Sequence, residues 1–252
     1  LVGRPAPLQG AAFGRQCGHV EASRVMHTGF HHRQCTVARN DGRPSLDNSA
    51  MTATRPALIL GSTSRYRREL LERLRLPFEV VAPDVDETAR PGESPADLAL
   101  RLAWAKAREV SARHPGAVVI GSDQVADVDG MPLGKPGDRE RAVAQLRRMS
   151  GRAIVFQTAV AVVRGDTGYA QACVVPVTVR VRPLADDEIG YYLDAEQPYD
   201  CAGSAKAEAL GIALLQAIES DDPTALTGLP LIRTCQMLRE AGIDPLRPAT
   251  TA

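Results

Sequence analysis

Several absences narrow what this chain can be. No apolar run approaches the roughly 18 residues that a membrane-spanning helix needs, and no charged-then-apolar leader opens the sequence. Thirty basic residues balance thirty acidic ones, so the broad positive field of general nucleic-acid binding is missing and any phosphate site must be local. Aromatic residues make up 4%, too few for a platform that stacks successive bases. Neither a Walker A loop nor Gly-x-Gly-x-x-Gly occurs, which argues against a P-loop or Rossmann nucleotide site. The five cysteines, Cys17, Cys35, Cys173, Cys201 and Cys235, are odd in number and scattered. That pattern suits reduced thiols in a cytoplasm, the expected location, better than a disulfide framework. Lysine is scarce: 27 of the 30 basic residues are Arg, leaving Lys106, Lys135 and Lys206. Base composition explains an arginine excess, yet all three lysines stand inside candidate motifs, where a compact ammonium acts as a point charge on phosphate.

What is present is enough for a sizeable core: 252 residues, 44% of them apolar. Residues 1–50 are rich in Gly, Pro, Arg and His without sustained periodicity. They read as a disordered extension or an upstream sequence, with Met51 as a candidate natural start. His19, His27, His31 and His32 lie there with Cys17 and Cys35, but their spacing matches no standard zinc pattern. Residues 51–252 form the expected functional domain, with α/β organisation. A strand over Ala57–Leu60 leads through Ser64, an N-cap, into a helix to about Leu74. Phe78–Val81 is a second strand. Ser94-Pro95-Ala96-Asp97 starts a helix to about Arg113, with Leu98, Leu102, Ala105 and Val110 inward. The apolar run Ala117–Ile120 predicts a buried strand that delivers Asp123 to its C-terminal edge, where open α/β sheets hold ligands. A type I′ turn at Asp129-Gly130 follows, then a helix near Arg139–Met149 and strands near Ile154–Val163 and Gln171–Arg182. A helix near Asp186–Leu193, a strand over Ile212–Leu215 and a helix over Leu231–Ala241 complete the pattern.

Five segments carry chemistry. The turn Gly61-Ser62-Thr63-Ser64-Arg65-Tyr66-Arg67-Arg68 sets hydroxyls and free N–H groups at a helix N-terminus, a ready anion site. Arg65, Arg67 and Arg68 can add bidentate contacts, though adjacent helical side chains diverge; a capped surface helix with solvated arginines explains the same letters. Asp86-Glu87 with Asp123 can supply oxygen ligands to Mg2+ or Mn2+, against the alternatives of a polar turn and a strand-end cap. Gln124 offers an amide to a base edge, Gly134-Lys135-Pro136 presents an ammonium on a fixed turn, and Lys106 lies mid-helix between small neighbours. Each of the two lysines reads equally as a solvated surface side chain.

The order of these pieces is specific. From about Ala57 to Leu246 the chain resembles the Maf family of nucleoside triphosphate pyrophosphatases. The resemblance runs through the Ser-x-Ser-x-x-Arg turn, Asp86-Glu87-Thr88, Arg101-Leu102-Ala103-x-x-Lys106-Ala107, Gly121-Ser122-Asp123, Gly134-Lys135-Pro136, Ser150-Gly151 and Gly228-Leu229-Pro230-Leu231. It implies an ITPase-like α/β fold, with a mixed central sheet, flanking helices and two lobes around a cleft. Within the family it is closest to the branch acting on 7-methyl-GTP, through Tyr66, Gln124 and the Cys201–Glu208 segment. It implies Asp123 as catalytic base or metal ligand, Glu87 as a second metal ligand, and Ser62, Ser64, Arg67, Lys106 and Lys135 on phosphates. Tyr66, Gln124 and Glu208 would then select the base: an aromatic ring stacks on a cationic methylated guanine and a carboxylate accepts from its N1 and N2. A divalent cation and a homodimer are further family expectations, with no nucleic-acid or membrane partner. The rival expectations are dTTP/UTP hydrolysis within the same family and a non-catalytic nucleotide sensor linked to cell division.

Overall fold

The computed structural model describes residues 55–247; the expected extension over 1–50 lies outside the described residues. The mixed sheet runs in the order β2-β1-β3-β5-β6-β7, with β4 hairpinned onto β3. Strands β1 (Leu58–Gly61), β2 (Glu79–Val80) and the start of β3 (Val118–Val128) are parallel. The long strands β5 (Ala153–Arg164) and β6 (Tyr169–Val181), with β7 (Leu215–Glu219), continue antiparallel. β3 and β4 (Met131–Leu133) join through Asp129 and Gly130 at φ 55° and 79°, the left-handed pair that a type I′ turn requires.

Helix α2 (Pro95–Arg113) starts where Ser94 accepts the Asp97 N–H and Pro95 takes the first turn. Its buried face is Leu98, Ala99, Leu102, Ala103, Lys106, Ala107 and Val110, so the inward position falls to Lys106 rather than the expected Ala105. The alanines let the helix approach the sheet closely. A Cβ on Gly121 would strike the Ala103 carbonyl and the Ala107 nitrogen, so only glycine permits this approach. On the other face, α1 (Arg65–Glu72) and α5 (Leu231–Glu240) supply Leu70, Leu71, Met237 and Leu238 to a core with Leu60, Ile120 and Val160. Helices α3 (Arg139–Met149) and α4 (Asp186–Glu196) close a second lobe through Leu146, Ile189, Tyr192, Leu193 and Leu214. Among the described residues no helix is long and apolar enough to cross a membrane.

Two expectations need correction. Asp123 does not end its strand: β3 runs on to Val128 because β5 pairs with it from Val118 to Asp127. The sheet edge forms instead by the loss of a neighbour. β1 stops pairing at Gly121 and β4 begins at Ala126, leaving Ser122–Val125 open on that side. The strand expected at Ile212–Leu215 is a 3-10 turn over Leu210–Leu214, and β7 starts at Leu215. Gly211 packs against the Lys206 backbone so closely that a Cβ would meet Lys206 N and O at 2.7 and 2.6 Å, and a turn wound that tightly is not extended.

Candidate active site

A cleft of about 680 Å³ opens at the unpaired stretch of β3. The ten residues to which the family resemblance gives a site role line it: Ser62, Ser64, Tyr66, Arg67 and Glu87 earlier in the chain, Lys106, Asp123, Gln124, Lys135 and Glu208 later. These residues span two helices, one strand and four loops, and the topology brings them to one place.

At one end, β1 turns through Ser62–Ser64 into α1. The Ser64 hydroxyl accepts the Arg67 N–H at 3.5 Å, and the Ser62 hydroxyl accepts Ser64 N–H at 3.2 Å and Arg67 Nη1 at 3.3 Å. Arg67 Nε donates to the Gly228 carbonyl at 2.9 Å, and the buried Ser122 hydroxyl donates to the same oxygen at 3.0 Å. Burial pulls Arg67 below the ordinary guanidinium range, opposed by the Asp123 and Glu87 charges. It stays cationic, because a guanidinium does not lose its proton in proteins. The three arginines part company as helical geometry requires: Arg68 pairs with Glu72 at 3.0 Å on the surface, and Arg65 lies 4.8 Å over the Tyr66 ring. Arg67 is the one built into the turn, and the assembly gathers N–H and hydroxyl groups at a helix N-terminus, a geometry that can take an anion.

Next to this turn, Lys106 Nζ lies 2.7 Å from Asp123 Oδ1 and 2.7 Å from Glu87 Oε1. Asp123 and Lys106 are 8% and 5% exposed, whereas the Glu87 side chain is 60% exposed. A buried ammonium with two carboxylates is paired, as burial demands. Asp86, expected beside Glu87 as a ligand, instead accepts the Thr88 N–H at 2.9 Å and shapes the loop. That loop is held by a clamp absent from the sequence reading. Arg101 donates to both Glu93 oxygens at 2.6 and 2.8 Å and to the Thr88 carbonyl at 2.9 Å. The Arg101 hydrogen bonds, helped by the Arg90 N–H, hold the Glu93 carboxyl down at about 2.

The far end is looser. The Tyr66 hydroxyl donates to Asp200 Oδ2 at 3.5 Å and lies 3.5 Å from Cys201 Sγ. Burial raises the Tyr66 phenol and pushes the Cys201 thiol up to about 11, so both are neutral near pH 7. Glu208 and Lys135 are exposed. Gln124 does not present its amide N–H groups to the cleft: Nε2 donates to Thr158 Oγ1, the Ala225 carbonyl and the Leu226 carbonyl, each at 2.9 Å. It ties β3 to the turn at Ala225–Thr227 and leaves its carbonyl oxygen as the group for a ligand. Lys206 departs from the phosphate role its scarcity suggested. Its Nζ donates to the Glu196 carbonyl at 3.1 Å and pairs with the Glu196 carboxylate at 3.5 Å, anchoring the 201–214 loop to α4.

Buried Asp222 is a further residue without a sequence signal. It accepts the Ile232 and Arg233 N–H groups at 2.8 and 3.2 Å and the Thr224 hydroxyl at 2.9 Å. Capping α5 this way fixes the segment that supplies the Gly228 carbonyl to Arg67 and Ser122. The run Asp221-Asp222-Pro223-Thr224 reads as a solvent-facing turn, and only tertiary structure reveals Asp222 as the anchor.

Comparison with known proteins identifies the family. A family model described as Maf-like protein matches residues 57–241. A protein of Polaromonas sp. (strain JS666) named 7-methyl-GTP pyrophosphatase is 64% identical over 206 residues, covering 82% of this chain and 94% of that one. A protein of the same name from Albidiferax ferrireducens is 66% identical over 189 residues, covering 75% and 95%. One from Bordetella pertussis is 62% identical over 196 residues, covering 78% and 98%. Among solved structures, a HAM1 protein from Coxiella burnetii aligns with 73% of this chain and 99% of its own at 16% identity and a TM-score of 0.43. With the motifs gathered on one cleft and the family model covering nearly the whole described domain, the chain belongs to the Maf family.

Proposed function

We propose that this protein hydrolyses 7-methyl-GTP to 7-methyl-GMP and pyrophosphate, removing a modified nucleotide. The observation that carries this reading is the cleft itself. A buried carboxylate, Asp123, lies beside an anion cradle at one end, and an aromatic ring with Asp200 and Glu208 lines the other. Relatives at 62–66% identity bear the name of that activity. A triphosphate is strongly anionic and a 7-methylated guanine is cationic, so a ligand of opposite polarity at its two ends fits a cleft of the same design.

In this scheme Ser62, Ser64 and Arg67 hold phosphate oxygens, with Lys106 and Lys135 adding ammonium charge as the transition state develops. Asp123 orients a water and accepts its proton, or ligates the ion that activates it. The water oxygen bonds to the α-phosphorus, and the bond from that phosphorus to the α,β-bridging oxygen breaks. Pyrophosphate leaves with the bond's electron pair. Tyr66 stacks on the base, Glu208 accepts from N1 and N2, and the Gln124 carbonyl is the remaining polar edge.

The family also implies a divalent ion. Among the described residues no cluster of three or more His, Cys, Asp or Glu could hold one alone. Two carboxylates on one ammonium still suit Mg2+ or Mn2+, hard cations that take one or two carboxylates and complete their shell with water and substrate phosphates. Glu87 and Asp123 would hold it, and it would supply charge neutralisation and water activation.

Turnover of 7-methyl-GTP by the full chain in heavy-oxygen water tests the chemistry. The scheme predicts label in 7-methyl-GMP and none in the pyrophosphate at the first turnover. Orthophosphate release, label in pyrophosphate, or binding without turnover would each contradict it, the last in favour of a sensor.

A further inference from the structure

The metal reading above leaves one conflict. The two carboxylates that would hold the ion are already bridged by the Lys106 ammonium, at 2.7 Å to each. Lys106 is not an incidental neighbour, because it occupies the core-facing stripe of α2 and Gly121 brings that helix against β3. Arg67 adds a second positive charge facing the same carboxylates. A divalent ion entering this arrangement would set at least four positive charges against two negative ones. Like charges at such distances are strongly opposed where water is excluded.

We infer that Lys106 is a resident cation that a divalent ion must displace, and that the displaced ammonium is accepted by the phosphates arriving with the ion. Before substrate, Lys106 neutralises Asp123 and pins the Glu87 loop to α2. With substrate, the ion takes over the carboxylates while Lys106 turns to the phosphate chain. The site therefore discriminates against bare metal and loads ion and polyphosphate together. This inference rests on the cleft being a metal-and-phosphate site, and its test separates the two.

Mn2+ binding is measured by the electron paramagnetic resonance of the free ion, in the full chain without nucleotide. Lys106→Gln and Lys106→Met are expected to bind bare Mn2+ more tightly than wild type by at least about fivefold, the scale of a direct pair coupling. Lys106→Arg, which keeps the charge, is expected to stay as weak as wild type. A structural role alone would weaken all three variants or none. The sequence's only lysines are Lys106, Lys135 and Lys206, so nitrogen-15 lysine labelling gives a second readout that needs no variant. The buried Lys106 ammonium signal should persist on adding Mg2+ alone and shift on adding Mg2+ with pyrophosphate. Neutral variants that bind Mn2+ no more tightly than wild type, or an ammonium signal shifted fully by Mg2+ alone, would overturn the exchange while leaving the metal site standing. No Mn2+ binding to any form, with or without pyrophosphate, would overturn the metal reading itself.

Discussion

The two ends of the cleft are built differently. At the proposed phosphate end, polar groups are held by one or two partners each: Arg67 by Ser62 and Gly228, Asp123 by Lys106, Ser122 by two carbonyls at 2.8 and 3.0 Å. Strand edge and helix N-terminus hold them. At the proposed base end, Tyr66, Asp200 and Cys201 touch at 3.4–3.5 Å, and Glu208 is exposed on a loop. Stabilising charge in a transition state needs groups already in place, whereas reading a base tolerates adjustment. A fold arranged this way can keep its chemistry on the sheet and change its substrate by altering a loop.

Substitutions at the two ends should therefore fail in different ways. Asp123→Asn should lower kcat by about a thousandfold, within the range for a lost acid–base group, with circular dichroism unchanged. Full activity in that variant would detach the chemistry from the phosphate end. Gly121→Ala tests the scaffold between the ends. Its methyl meets Ala103 and Ala107 backbone atoms, so overpacking should destabilise by about 1–3 kcal/mol in urea melts, and the displaced α2 should carry Lys106 away from Asp123.

Glu208→Gln belongs to the loose end. It should cut kcat/KM for 7-methyl-GTP about tenfold, or about 1.4 kcal/mol for one charged hydrogen bond, and cut that for GTP less, because both bases share N1 and N2 but only the methylated ring is cationic. Equal loss on both substrates would place Glu208 with the phosphates. The smallest effect concerns the Arg101–Glu93 clamp. The Glu93 carboxyl is depressed from 4.5 to about 2 when folded, so its stabilising contribution is complete above about pH 4.5 and lost as pH falls through about 2. Wild type should accordingly be more stable than Glu93→Gln near neutrality, and the difference should shrink across that acid window. A pH-independent difference would mean that the clamp works through packing alone.

How much of this could be read in advance follows the same division. The elements were legible where local chemistry decides them. Ser94-Pro95 starts α2, Asp129-Gly130 makes the β3–β4 turn, and Ser64 caps α1, as expected. That these residues line one cleft follows from motifs that sit at turns and on one helix face. Partnerships were not. Local chemistry does not separate Arg67, bound to Gly228, from Arg65 and Arg68; only the Ser-x-Ser-x-x-Arg resemblance singled it out, because its partner comes from a segment anchored by Asp222 far along the chain. The open edge at Ser122–Val125 escaped for a similar reason: it is a missing neighbour, and strand pairing is non-local. Gln124 looked like a base reader because its three acceptors, on β5 and the Ala225–Thr227 turn, come from distant segments.

The central claim is a cleft that joins polyphosphate chemistry to recognition of a cationic base. It is tested most directly by kcat/KM of the full chain, with Mg2+ or Mn2+, for 7-methyl-GTP, GTP, dTTP and UTP side by side. The account predicts pyrophosphate release with 7-methyl-GTP preferred over GTP by at least about tenfold, the scale of one aromatic–cation contact. Preference for dTTP or UTP, or equal use of GTP, would contradict it.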